Sequence, residues 1–205
     1  MLKIMGDFRV AGLLAFGYLA GGIPTGYLVV KRLKGYDIRT KGSGNPGTAN
    51  VYRNAGAVAG AITLAVDALK GYAPVCLSLA LDPRHPELAI AVGAAAVIGH
   101  NWTPLLGFKG GKGVATSAGV FAALLPLPMA LTVGVFALAV KLSGHISVGS
   151  MTAAVALPIA AVACGAQTAY GVAAACSGAL IIYKHIPNLK RLLENKELGI
   201  HGPSA

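Results

Sequence analysis

The stretch Val114-Ala-Thr-Ser-Ala-Gly-Val-Phe-Ala-Ala-Leu-Leu-Pro126-Leu-Pro128-Met-Ala-Leu-Thr-Val-Gly-Val-Phe-Ala-Leu-Ala-Val-Lys141-Leu142 decides what kind of fold this chain can have. At about 1.5 Å per residue it is too long for one untilted crossing of a bilayer. Pro126 and Pro128 break it, because proline has no N–H to give a helix and clashes with the preceding turn. Two membrane helices are expected, one on each side of the break.

Working outward, comparable apolar runs occupy Leu88 to Ile98, Ala55 to Leu81 and Val10 to Val30 on one side, and Val148 to Cys164 and Thr168 to Tyr183 on the other. Lys3 and Arg9 precede the first run, as in a signal peptide. That run nevertheless continues past a normal signal core, through Gly22-Ile-Pro-Thr-Gly26, without a cleavage site, and reads as a span. Mean hydropathy is +0.67, and only 12% of residues are charged. A soluble domain would carry about a quarter charged residues, so the chain reads as an integral membrane protein. The expectation is an all-α, polytopic helical bundle of about seven transmembrane helices, a single membrane-embedded domain over residues 1–205.

The charges orient the bundle. The basic segment Lys31 to Arg53, the loop around Lys109 and Lys112, Lys141, and the tail with Lys184, Lys190, Arg191 and Lys196 alternate onto one face, leaving Arg84, Lys3 and Arg9 for the other. By the positive-inside rule the N-terminus is outside and the C-terminus cytoplasmic. Net charge is +10, yet with one Trp and five Phe, and with its cations confined to loops between spans, the chain does not read as a nucleic-acid binder. The cations call for lipid headgroups or phosphorylated substrates. Cys76, Cys164 and Cys176 lie in or at the ends of apolar runs and read as small buried hydrophobes, not as metal ligands or a disulfide. Asp67 and Lys70, three residues apart inside a membrane run, read as an ion pair facing the bundle.

Four polar segments carry chemistry. Gly107-Phe-Lys109-Gly110-Gly111-Lys112-Gly113-Val-Ala-Thr116 combines flexible glycines, two lysines and a helix start, which suits phosphate. It is not a nucleotide P-loop: Gly113 follows Lys112 where a hydroxyl is required, and no strand precedes it. Gly99-His100-Asn-Trp102 lies just upstream, and both aromatic side chains read as membrane-interface residues. Lys41-Gly-Ser43-Gly-Asn45-Pro-Gly47-Thr48-Ala-Asn50-Val-Tyr-Arg53 formally contains G-x-G-x-x-G, but without a leading strand it is not a dinucleotide fingerprint. Its hydroxyls, amides and Arg53 form a donor set for an anion or polyol. By itself Arg53 would equally read as a snorkelling side chain. In Ser147-Val-Gly-Ser150, Ser150 reads either as a helix cap or as a ligand group. His185-Ile-Pro-Asn188-Leu-Lys-Arg191-Leu-Leu-Glu-Asn-Lys-Glu197 follows the last span, as a lipid-anchoring tail would.

Taken together, Lys41 to Asn50 with Arg53, Gly99-His-Asn-Trp102 leading to Phe108-Lys-Gly-Gly-Lys-Gly-Val-Ala-Thr116, and His185-x-x-Asn188-x-x-Arg191-Leu192 ending at Glu197 resemble the bacterial PlsY family of acyl-phosphate-dependent glycerol-3-phosphate acyltransferases. The chain departs from the family pattern at Thr48-Ala49, where Ala-Thr is usual, at Ile186 and at Asn195. The resemblance implies transfer of a fatty acyl group from acyl phosphate to the sn-1 hydroxyl of glycerol 3-phosphate, giving lysophosphatidic acid and phosphate in phospholipid synthesis. It also implies a bacterial inner-membrane location with the active site on the cytoplasmic face. Catalytic roles fall on His185, Asn188 and Lys112, and substrate binding on Ser43, Asn45, Gly47, Thr48, Arg53, Gly110, Gly111, Gly113 and Ser150. The expected partners are glycerol 3-phosphate, acyl phosphate and membrane lipid, with no cofactor, metal or acyl-enzyme. The rival class is a transporter of a phosphorylated or anionic solute.

Overall fold

The apolar runs become helices, and the proline and glycine breaks become their ends. The computed structural model describes residues 2–200, with side chains from Phe8 onward, so the side chain of Lys3 and the last five residues lie outside it. The helices are α1 Leu2–Gly21, α2 Thr25–Lys34, α3 Thr48–Ala55, α4 Ala57–Leu81, α5 Pro86–Asn101, α6 Val114–Leu124, α7 Pro126–Ser143, α8 Ile146–Ala163, α9 Thr168–Lys184 and α10 Ile186–Leu193. The structure is all-α, as the hydropathy requires. Each expected span is helical, but the spans differ in reach. Among the described residues five are long and apolar enough to cross a membrane, Phe8–Lys34 included, and the pair α9 and α10, bent by 53°, counts as a sixth when taken as one span. The α6 helix has 11 residues, about 16 Å of rise, and falls short of a 30 Å hydrocarbon core.

The break at Pro126 is as expected: Leu125, at φ −139° and ψ 66°, has left the helical region that the residue before a proline disfavours, and Pro126 opens α7 where its missing N–H does no harm. The first run is also broken, between Gly21 and Thr25, where Pro24 interrupts the helical ladder. The carbonyls freed there find donors elsewhere in the bundle. Thr103 Oγ1 donates to Gly22 O at 2.6 Å and Lys70 Nζ to Ile23 O at 2.8 Å. Lys70 also pairs with Asp67 at 2.8 Å, both side chains buried, so the expected intramembrane ion pair holds α4 against the α1–α2 break.

Packing relies on backbone contact. A Cβ on Gly99 would lie 2.1 Å from Tyr18 O and one on Gly119 1.9 Å from Ala68 O, so α5 meets α1, and α6 meets α4, with no side chain between. A core of Val75, Val97, Val120, Phe121, Leu157 and Ala174 joins α4, α5, α6, α8 and α9. Outside it, α7 exposes Leu127, Leu131, Val133, Leu138 and Leu142, a lipid-facing stripe. Cys164 and Cys176 are exposed on this apolar exterior rather than buried; they are free thiols. With helix directions alternating, the starts of α4, α6, α8 and α10 and the ends of α5, α7 and α9 gather at one end of the bundle.

Candidate active site

At that end a cavity of about 680 Å³ is bordered by the first turns of α3, α6, α8 and α10. The starts of α3, α6 and α8 carry unpaired N–H groups and the positive end of a dipole, so three of them around one space make an anion-binding surface, while α10 continues directly from α9 through His185. Polar residues from all four motifs line it: Ser43, Asn45, Gly47, Thr48 and Arg53 from the first, Lys112 and Gly113 from the second, Ser150 from the third, His185 and Asn188 from the fourth. The cavity continues as an apolar chamber lined by Leu64, Met129, Val133, Phe136, Val140 and Leu157. It reaches the outer surface at Leu64 and Val133, both about half exposed.

The first motif is held by one buried amide. Asn50 Nδ2 donates to Lys41 O at 3.0 Å and Ile38 O at 3.3 Å, while its Oδ1 accepts from Ser43 N at 3.0 Å. The Asn45 carboxamide accepts from Gly47 N at 2.9 Å, turning the chain into α3. Thr48 Oγ1 is buried without a hydrogen-bond partner, on the cavity wall. Arg53 is partly engaged: Nε donates to Gly199 O at 2.8 Å and Nη2 to Leu198 O at 3.2 Å, drawing the C-terminal segment across the site.

Lys112 Nζ donates to Asn188 Oδ1, and Asn188 Nδ2 donates to Glu197 Oε1 at 2.6 Å. Glu197 also accepts from Ser147 Oγ at 2.9 Å and Arg191 Nε at 2.7 Å. Burial pushes the Glu197 carboxyl up, but the donors Asn188, Arg191 and Ser147 outweigh it and hold the group below its ordinary range. Burial, only partly offset by Glu197 and reinforced by the cations Arg191, Arg53 and Lys184, lowers Lys112 to about 8. His185 Nδ1 lies 2.8 Å from Ile181 O, a carbonyl that only accepts, so Nδ1 carries the proton and Nε2 of the neutral ring is left as an acceptor. Ser150 is not a cap: α8 begins at Ile146, and Ser150 Oγ donates to Ile146 O at 2.9 Å in the second turn.

Gly110 and Gly111 lie outside this cavity. Their N–H groups, expected to face a phosphate, donate instead to Asn101 O at 3.2 Å and His100 O at 3.0 Å. The reason is packing, because the loop lies directly on the last turn of α5. His100 corrects the sequence reading too, being buried, 3.9 Å from Asp67 Oδ1, rather than at the membrane interface. Trp102 is at the end of α5 with Lys184 Nζ 4.8 Å from its ring centroid. The Glu197 hub was not legible in sequence, where that residue only closed a motif. The tail carries two carboxylates, Glu194 and Glu197, and nothing in their spacing singles out the second.

Fold and site together define a polytopic membrane protein with a cationic, anion-binding cavity that runs into an apolar chamber. The glycerol-3-phosphate acyltransferase family profile matches residues 11–195. The chain is similar to a glycerol-3-phosphate acyltransferase of Geobacter metallireducens, 50% identical over 90% of this chain and 94% of that one. Another from Endomicrobium trichonymphae is 44% identical over 88% and 90%. Among solved structures it is similar to the glycerol 3-phosphate form of PlsY, an integral membrane glycerol 3-phosphate acyltransferase, at 34% identity, TM-score 0.89, over 93% of this chain and 95% of that one. The lysophosphatidic acid form of PlsY gives 32% and 0.85 over the same shares. The chain belongs to the glycerol-3-phosphate acyltransferase family, and the transporter alternative gives way to it.

Proposed function

We propose that the chain, acting as one membrane-embedded unit, transfers a fatty acyl group from acyl phosphate to the sn-1 hydroxyl of glycerol 3-phosphate at the cytoplasmic face of the bacterial inner membrane. The single observation carrying this reading is that one cavity joins a ring of phosphate donors to an apolar chamber open to lipid. Lys112, with two N–H groups beyond its bond to Asn188, and the free Nη1 of Arg53 bind the glycerol phosphate together with Ser43 and Ser150. For Ser150 this means turning its hydroxyl from Ile146 O to the ligand.

His185 Nε2 accepts from a glycerol hydroxyl, and the Asn188 amide fixes Lys112 beside it. The starts of α3 and α6 hold the acyl phosphate, whose chain lies in the chamber. Attack forms the ester C–O bond through a tetrahedral intermediate. The mixed-anhydride C–O bond then breaks, and phosphate departs with its electron pair. The hydroxyl oxygen attacks the acyl phosphate directly, so no residue is acylated, and its proton passes to a substrate phosphate oxygen. Because the donor is already activated, catalysis consists mainly of positioning and of stabilising charge.

The test is purified protein with glycerol 3-phosphate and either palmitoyl phosphate or palmitoyl-CoA. Lysophosphatidic acid from palmitoyl phosphate alone is expected. Product from palmitoyl-CoA alone would replace the donor assignment.

A further inference from the structure

Three buried polar side chains stand beside the cavity with no part in the chemistry above: Asp67, Lys70 and His100. Asp67 and Lys70 are ion-paired, Lys70 is anchored on Ile23 O, and the His100 ring is buried next to Asp67. The opposite edge of that ring meets the glycine loop, since a Cβ on Gly111 would stand 2.0 Å from His100 Nε2. A Cβ on Gly110 would stand 2.1 Å from His100 O. Gly111 is not in the left-handed region, so its backbone would accept alanine without strain, and the His100 ring is what excludes a side chain there.

The next residue is Lys112, which reaches into the cavity to Asn188. The loop carrying the lysine therefore rests on a buried imidazole that packs beside an intramembrane ion pair. We propose that His100, buried beside Asp67, is a positioning residue whose ring sets the seat of Gly111 and so the reach of Lys112 into the phosphate site. This rests on the reading of Lys112 as a phosphate ligand. It reassigns Gly111 from ligand contact to a close-approach surface.

The experiment is a double-mutant cycle of G111A, H100A and H100A/G111A, read by the dissociation constant for glycerol 3-phosphate, by KM and kcat, and by the thermal unfolding midpoint. Displacing a ligand group by about 1 Å can cost on the order of a hundredfold, so G111A is expected to weaken glycerol 3-phosphate at least about tenfold in a protein that still folds. In the H100A background, where the ring no longer occupies the site, adding G111A is expected to change affinity by less than about twofold, a clear non-additivity. Equal losses from G111A in both backgrounds, or a G111A protein with wild-type affinity, would overturn the proposal. A G111A protein that is destabilised but binds normally would do the same, assigning the contact to folding alone. If wild type makes no product from acyl phosphate, the donor reading fails, while the binding cycle still decides this one.

Discussion

Asn188 links two charges of opposite sign: its Nδ2 donates to Glu197 at 2.6 Å while its Oδ1 accepts from Lys112. The amide can face only one way under those constraints, acceptor toward the ammonium and donor toward the carboxylate. Replacing Glu197 with alanine leaves Asn188 free to rotate and Arg191 unpaired. A hydrogen bond to a charged group contributes about 1.5–3 kcal/mol, so kcat/KM is expected to fall about 10- to 100-fold, read by steady-state assay. Because the folded carboxyl sits below its ordinary pKa, its stabilising contribution is present above the unfolded value and is lost as pH falls through the folded one.

Lys112 gives a pH dependence of the opposite sense. With its pKa lowered to about 8, the ammonium proposed to attract phosphate is present below that pH and disappears above it. The profile of kcat/KM for glycerol 3-phosphate, which reports the free enzyme, is expected to fall as pH rises through about 8. In K112R, which holds a fixed charge, that limb is expected to vanish even if the plateau is lower.

The apolar chamber ends where Met129 packs against the core of Val120, Phe121, Leu125 and Leu157. From Val140 near the polar end to Met129 is about 16 Å along α7 at helical rise. The bulkier M129W closes the far end. It is expected to shift the ratio of kcat/KM for palmitoyl over decanoyl phosphate by about tenfold toward the shorter donor, the scale set by fit in an apolar pocket.

What the sequence revealed follows the range of the interactions involved. The spans and the Pro126 break depend on local hydropathy and on a covalent constraint, and both read directly from the residues. Asp67 and Lys70 were legible as a pair because they are neighbours on one helix turn. His100 was not legible as their partner, because its burial depends on α5 packing beside α4. Gly110 and Gly111 illustrate the same limit: a glycine needed for phosphate approach and one needed for helix-to-loop contact look identical in sequence. The hub at Glu197 joins α8, α10 and the α6 loop, contacts distant along the chain that motif spacing does not encode.

The proposed transfer within a single cavity implies that acyl phosphate and glycerol 3-phosphate are bound together when the acyl group moves. Initial rates measured over a grid of glycerol 3-phosphate and palmitoyl phosphate concentrations test this most directly. Intersecting double-reciprocal lines, with no phosphate released until glycerol 3-phosphate is added, are predicted. Parallel lines with a stoichiometric burst of phosphate from enzyme and palmitoyl phosphate alone would establish an acyl-enzyme and contradict the account.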